Sequence, residues 1–143
     1  MQINYAEINS KAVERILSVK KHVSSIDDSL RALIEIRVSQ INGCAYCVDL
    51  HSNEARELGV PQQRLDCLPV WQESGLFGDR EMAALAWAES VTHISIEPDI
   101  EGQLHRLLEH FSEAEAVDLT IVVSLMNSLN RMAKSFGDKP AER

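Results

Sequence analysis

A chain of 143 residues with 45% apolar and 25% charged residues, but only 6 Gly and 4 Pro, can bury one core and is not disordered by composition. Its formal net charge of -8, with no run of Lys or Arg, argues against contact with nucleic-acid backbones. The opening MQINYAEINSKAVER lacks the basic start and apolar block of a secretory leader, and no stretch approaches the ~18 uninterrupted apolar residues of a membrane span. The expectation is a cytoplasmic protein that touches no membrane.

From residue 5 to residue 24, Ala12, Val13, Ile16, Leu17 and Val19 recur at helical spacing and predict a first helix with one buried stripe. The next segment, IDDSLRALIEIRVSQING, offers Asp27 and Asp28 as N-caps. It places Leu30, Leu33, Ile34, Val38 and Ile41 on one face and closes on Asn-Gly. A third helix is predicted from Cys44 to Leu58, stopped by Gly59, with Pro61 in the first turn of a short successor. PVWQESGLFGD reads as a short helix and loop in which Trp71 and Phe77 pack, and Asp79 caps REMAALAWAESVTHI.

After SIEPD the chain is again helical to His110, and Ser112 with Glu115 gives the spacing of a capping box for the final helix, ended by Gly137. Its middle, LTIVVSLM, is apolar on nearly all sides, so this helix is expected at the centre of the core or under another subunit. LTIVV alone could form a short strand, but its helical flanks argue otherwise. Residues 1–137 are thus expected to form a single all-α domain, and 138–143 a flexible C-terminal tail.

Chemistry concentrates in CAYCVDLH, residues 44–51. At about 100° per residue, Cys47 and His51 lie about 60° and 20° around the helix from Cys44, in one row. Side chains three apart are neighbours at a separation that a disulfide spans, so Cys44 and Cys47 can cycle between dithiol and disulfide. A helix N-terminus favours a thiolate, which by itself selects Cys44. His51, one turn beyond Cys47, can take that thiol's proton directly or through one water, which selects Cys47 as nucleophile with Cys44 resolving. The two effects compete, and the base is weighted more because it also receives the proton.

A zinc site from Cys44, Cys47 and His51 with Cys67 would need ligands from loops and a second paired cluster, which the chain lacks. Cys67 alone is expected to be a small buried hydrophobe, and His22, His93, His105 and His110 to be surface or core residues.

LIEIRVSQINGCAYCVDLHSNEARELGV, residues 33–60, resembles the core motif of AhpD-like alkylhydroperoxidases within the carboxymuconolactone decarboxylase superfamily. WQESGLFGDREMAALAWAESVT and MNSLNRMA also look like that family. The resemblance implies an all-α, AhpD-like helical bundle that oligomerises through helices as a homo-oligomer, trimer or hexamer. It also implies thiol peroxidase or disulfide-reductase chemistry with no bound cofactor and no metal. In the family's redox members the second cysteine attacks the peroxide, the first resolves, and the histidine joins a proton relay, which maps onto Cys47, Cys44 and His51. A peroxide substrate and an external thiol or dithiol reductant are the implied partners.

The relay's glutamate is expected twelve positions before the first cysteine, where this chain has Ala32; Glu35, one turn later, is its expected substitute unless it is a solvated or ion-paired surface acid. The decarboxylase branch lacks the CxxC, so that activity is not expected. Three readings follow: a CxxC-dependent thiol peroxidase first, then a disulfide oxidoreductase without peroxide specificity, then a non-enzymatic assembly that senses oxidation or zinc. Trp71, Phe77 and Trp87 are candidates for the wall of an apolar pocket, and core packing accounts for them equally.

Overall fold

The computed structural model describes residues 1–143, and every regular element in it is a helix. The predicted first helix is split into α1 (Tyr5–Ile8) and α2 (Ser10–Ser18), followed by a 3-10 turn over Val19–His22. Asn9 makes the break: its side chain accepts from the Ala12 N–H at 3.3 Å and so starts a new helix.

α3 (Asp28–Asn42) begins at Asp27, whose side chain accepts from the Leu30 N–H at 2.9 Å. It ends at Gly43, where a left-handed φ of 65° lets the chain reverse at once. Cys44 is already the N-cap of α4 (Ala45–Glu57), so a single residue separates the end of α3 from the cap of α4.

α5 (Gln62–Asp66) takes Pro61 as its N-cap residue, just ahead of the first turn in which the sequence places it. A 3-10 turn over Leu68–Val70 leads into α6 (Trp71–Ser74). α7 (Asp79–Thr92) is capped by Gly78 and not by Asp79, which is its first helical residue; Glu81 accepts from the Gly78 N–H at 3.0 Å. α8 (Ile100–Leu108) starts at Asp99, and α9 (Glu113–Phe136) has the expected capping box, with Ser112 and Glu115 exchanging bonds of 3.2 and 2.8 Å. LTIVV is helical within α9.

α3 is the central element, packed by α4, α7 and α9 on three sides. Its predicted apolar stripe is buried at Leu30, Leu33, Ile34 and Val38, while Ile41 is only half-buried. Burial also extends round the helix to Arg31, Ala32, Glu35 and Ser39, so three polar side chains must find partners inside the protein. Trp71 and Phe77 are core residues, and the Trp71 indole donates to Glu89 at 2.8 Å.

α9 buries the face Ala116, Leu119, Val122, Val123, Met126, Asn130 and Ala133. Its other face is not enclosed: with α8, Val19 and Trp87 it borders an apolar groove of about 760 Å³ beside an exposed Val117. α2 buries no residue at all, in contrast to its predicted buried stripe, because its apolar edge faces outward with Leu17 51% exposed. No helix is long and apolar enough to cross a membrane.

Beyond Gly137, Asp138 accepts from the Tyr5 hydroxyl at 3.0 Å, and the terminal Arg143 grips Asp49 of α4 at 2.7 Å. Leu33 lies on the central helix with 0% exposure. Leu33→Ala is expected to cost about 3 kcal/mol of unfolding free energy, read as a lower midpoint in urea with an unchanged slope.

Candidate active site

The abrupt α3–α4 turn decides where the two cysteines lie. Cys44 caps α4, Cys47 sits in its first turn, and both are buried, at 2% and 3% exposure. Their sulfurs stand 2.7 Å apart as free thiols sharing a hydrogen bond, and closing to the ~2.05 Å of a disulfide needs only a small shift. The turn itself is tied to α9: Lys134 donates to the Asn42 carbonyl at 2.9 Å, and the Asn42 amide donates to Asn127 at 2.9 Å and Asn130 at 3.0 Å. Asn130, 1% exposed, donates in turn to the Ser39 hydroxyl at 3.0 Å. This buried chain of amides holds the cysteine turn against the core.

His51 is buried on the same helix, yet it makes no direct hydrogen bond to either sulfur, contrary to one of the two geometries expected from spacing. Its Nδ1 faces α3 and two carboxylates, Glu54 Oε2 at 3.2 Å and Glu35 Oε2 at 3.5 Å. Carboxylate oxygens only accept, so Nδ1 carries a proton and donates towards them.

Glu35 is not a solvated surface acid: it is 5% exposed and held by Arg31 at 2.5 Å and Lys20 at 3.0 Å. Ala32, the position where the relay acid is expected, is sealed in the core at 0% exposure.

Glu54 escaped the sequence reading. Its spacing, three residues after His51 on one helix, was the available signal. It is the nearer carboxylate to His51, and its Oε2 is not shared with a cation, whereas both oxygens of Glu35 are. Arg31 joins the two acids by donating to Glu35 and, at 2.8 Å, to Glu54 Oε1. Burial pushes the Glu54 carboxyl up, but hydrogen bonds from Arg31 and His51 outweigh it and hold the group below the usual carboxylate range.

Glu35, His51 and Glu54 also form the one set of three donor groups whose ligand atoms lie within 4.8 Å of one another. Arg31 and Lys20 already occupy those carboxylates, which makes this an ion-pair cluster around an imidazole. The zinc set drawn from Cys44, Cys47, His51 and Cys67 does not converge, and Cys67 is half-buried on its own.

Electrostatics at the sulfurs departs from the helix-terminus expectation. Burial pushes the Cys47 thiol up to about 12; the hydrogen bond with Cys44 adds to this, and the Asn130 amide works the other way. Desolvation therefore outweighs the partial charge of the helix end, which contributes about 0.3–1 kcal/mol. Attack by Cys47 near neutral pH then requires a base to take its proton.

The profile of the carboxymuconolactone decarboxylase family matches residues 10–90, which contain both cysteines and the whole histidine cluster. The chain belongs to this family. Family kinship extends beyond the matched segment: YdfG of Bacillus subtilis, itself uncharacterised, is 36% identical over 144 residues, spanning 99% of this chain and 98% of its own. A solved structure from Agrobacterium tumefaciens, a protein of unknown function provisionally described as the antioxidant defence protein AhpD, is 34% identical. It superposes with a TM-score of 0.92 over 99% of both chains, so the AhpD-like fold is common to the two. An uncharacterised peroxidase-related protein from Ralstonia eutropha JMP134 superposes with a TM-score of 0.84 at 22% identity, over 96% of this chain and 74% of its own, and shows the shared fold alone.

In this member of the carboxymuconolactone decarboxylase family, the value of about 12 for Cys47 has a direct readout. Iodoacetamide labelling of Cys47 in the reduced protein, followed by peptide mass spectrometry, is expected to accelerate about tenfold per pH unit from pH 7 to roughly 10. A plateau below pH 8 would mean an acidic thiol.

Proposed function

We propose that the chain is a CxxC-dependent thiol peroxidase acting on organic peroxides or hydrogen peroxide. The observation that carries this reading is a pair of free thiols 2.7 Å apart on the first turn of α4, with an imidazole one turn on held by two carboxylates. Kinship with an AhpD-described protein at 34% identity supports the same chemistry.

In the proposed cycle the lone pair on His51 Nε2 takes the Cys47 proton through water, and the thiolate attacks the peroxide oxygen. The S–O bond forms as the O–O bond breaks, and the departing alkoxide or hydroxide leaves protonated as alcohol or water. Cys44 then attacks the sulfenic sulfur, forming the disulfide and releasing water. Two thiol equivalents of an external reductant restore the dithiol. Glu35, Glu54 and Arg31 act as positioning residues that set the tautomer and tilt of the ring, and no cofactor or metal enters the cycle.

A second reading is a disulfide oxidoreductase, which would use the same two thiols 2.7 Å apart. A thiol that burial holds at about 12 is slow towards peroxide, and as the sulfur released in thiol–disulfide exchange it leaves only with a proton supplied to it, the part His51 would play. A peroxidase cycle that returns to the dithiol suits a reducing compartment such as the cytoplasm.

Stopped-flow kinetics with an organic hydroperoxide separates the two readings. Cys47→Ser is expected to abolish the first oxidation event, Cys44→Ser to keep that event and lose turnover, and His51→Gln to slow it about 10²–10⁴-fold. A first event equally fast in wild type and Cys47→Ser sinks the peroxidase assignment.

A homo-oligomer belongs to the same reading, because the apolar groove along α9 and the outward apolar edge of α2 suit the cover of a second copy. Light scattering at micromolar concentration is expected to give three or six times the 16.0 kDa chain mass, and Val117→Lys to lower it.

A further inference from the structure

Regeneration of the dithiol requires an outside thiol to reach one sulfur of the disulfide, and the two cysteines, both buried, differ in what borders them. A depression of about 520 Å³ opens over the first turns of α4, bordered by Cys44, Val48, Asp49, Ser52 and Arg56 together with Gln40 of α3. Cys47 does not border it. The volume falls within the ~300–1,000 Å³ of small-molecule sites.

Its two charged residues, Asp49 and Arg56, are unequally paired. Asp49 is gripped by both nitrogens of the Arg143 guanidinium at 2.7 and 3.0 Å, and these bonds, with the charge of Arg56 behind them, hold its carboxyl below the usual range. Arg56 itself hydrogen-bonds only neutral amides, Gln62 at 3.4 Å and Asn53. Asp49 is thus matched by Arg143, which leaves Arg56 as the one cation bordering the depression without a carboxylate partner, on a chain whose total is -8. An anionic ligand repelled by most of the surface is attracted here.

We infer that this depression receives a small thiol carrying an anionic group, which reduces the oxidised protein by attacking Cys44. The inference rests on the dithiol chemistry proposed above. The incoming thiolate forms a bond to Cys44 Sγ, the Cys44–Cys47 bond breaks, and the electron pair goes to Cys47. The proton that Cys47 needs to leave comes from the imidazolium of His51, the reverse of its role as base. A second thiolate attacks the outer sulfur of the mixed disulfide, which frees Cys44 and releases the oxidised small disulfide.

The test uses full-length protein carrying Cys67→Ser, oxidised with diamide so that no peroxide is involved, with the disulfide confirmed by thiol count. Reduction at low salt is followed with 3-mercaptopropionate, 2-mercaptoethanol and cysteamine, each rate normalised to that thiol's rate with 2-hydroxyethyl disulfide. The anionic thiol is expected to lead the neutral one by roughly two- to fivefold, with the cationic one slowest. Arg56→Gln should erase that order, and Arg56→Lys should keep it, which separates charge from fold. Acid quenching with fragment-ion mass spectrometry is expected to find the mixed disulfide on Cys44.

An adduct on Cys47, or normalised rates equal across the three thiols, overturns the inference. A chain that forms no disulfide with diamide overturns the dithiol reading as well. Normal disulfide formation and exchange beside absent peroxide turnover sinks only the peroxidase reading.

Discussion

Arg31 is the constraint on which the site depends. Its guanidinium joins Glu35 on its own helix to Glu54 on the next, and so fixes two carboxylates against the Nδ1 of His51. Two acids, Glu35 and Glu54, and two cations, Arg31 and Lys20, cancel in formal charge around the ring. Burying such a group costs several kcal/mol of desolvation per ion, and only closely matched hydrogen bonds offset it. What the arrangement gains is specificity of orientation, because the imidazole is left with one defined nitrogen for proton transfer.

The same economy of position governs the thiols. Gly43 permits the left-handed turn that ends α3 and brings Cys44 straight onto the cap of α4, so that the dithiol and the histidine cluster share one helical hairpin. α9 then closes over the turn through Lys134, Asn127 and Asn130, which lie far away in sequence. Burial by these neighbours, and not the helix terminus, sets the acidity of Cys47. The price is a thiol that needs a base, and the base is built into the next turn of its own helix.

Family membership and an AhpD-like fold do not by themselves fix the reaction, since one fold hosts several chemistries. What narrows the choice here is the pair of sulfurs within bonding reach and the polar machinery gathered behind them. The unequal surroundings of the two sulfurs further suggest a division of labour, with Cys47 facing the buried amides and Cys44 the open depression.

Local signals in the sequence determined much of this protein. Caps at Asp27 and Ser112, stops at Gly43 and Gly137, and the row formed by Cys44, Cys47 and His51 all depend on neighbours within a turn or two, so spacing alone made them legible. The break at Asn9 was also local, its side chain capping the Ala12 N–H, but it fell inside a segment read as one helix from residue 5. Tertiary structure decided the rest. Only packing on three sides could bury Glu35 and Arg31 on a helix read as having one apolar face, and only the approach of α3 to α4 could bring Glu35 to the Nδ1 of His51 that Glu54 already faces from its own helix. Burial and long-range ion pairing depend on which helices meet, and that is information no single helix carries.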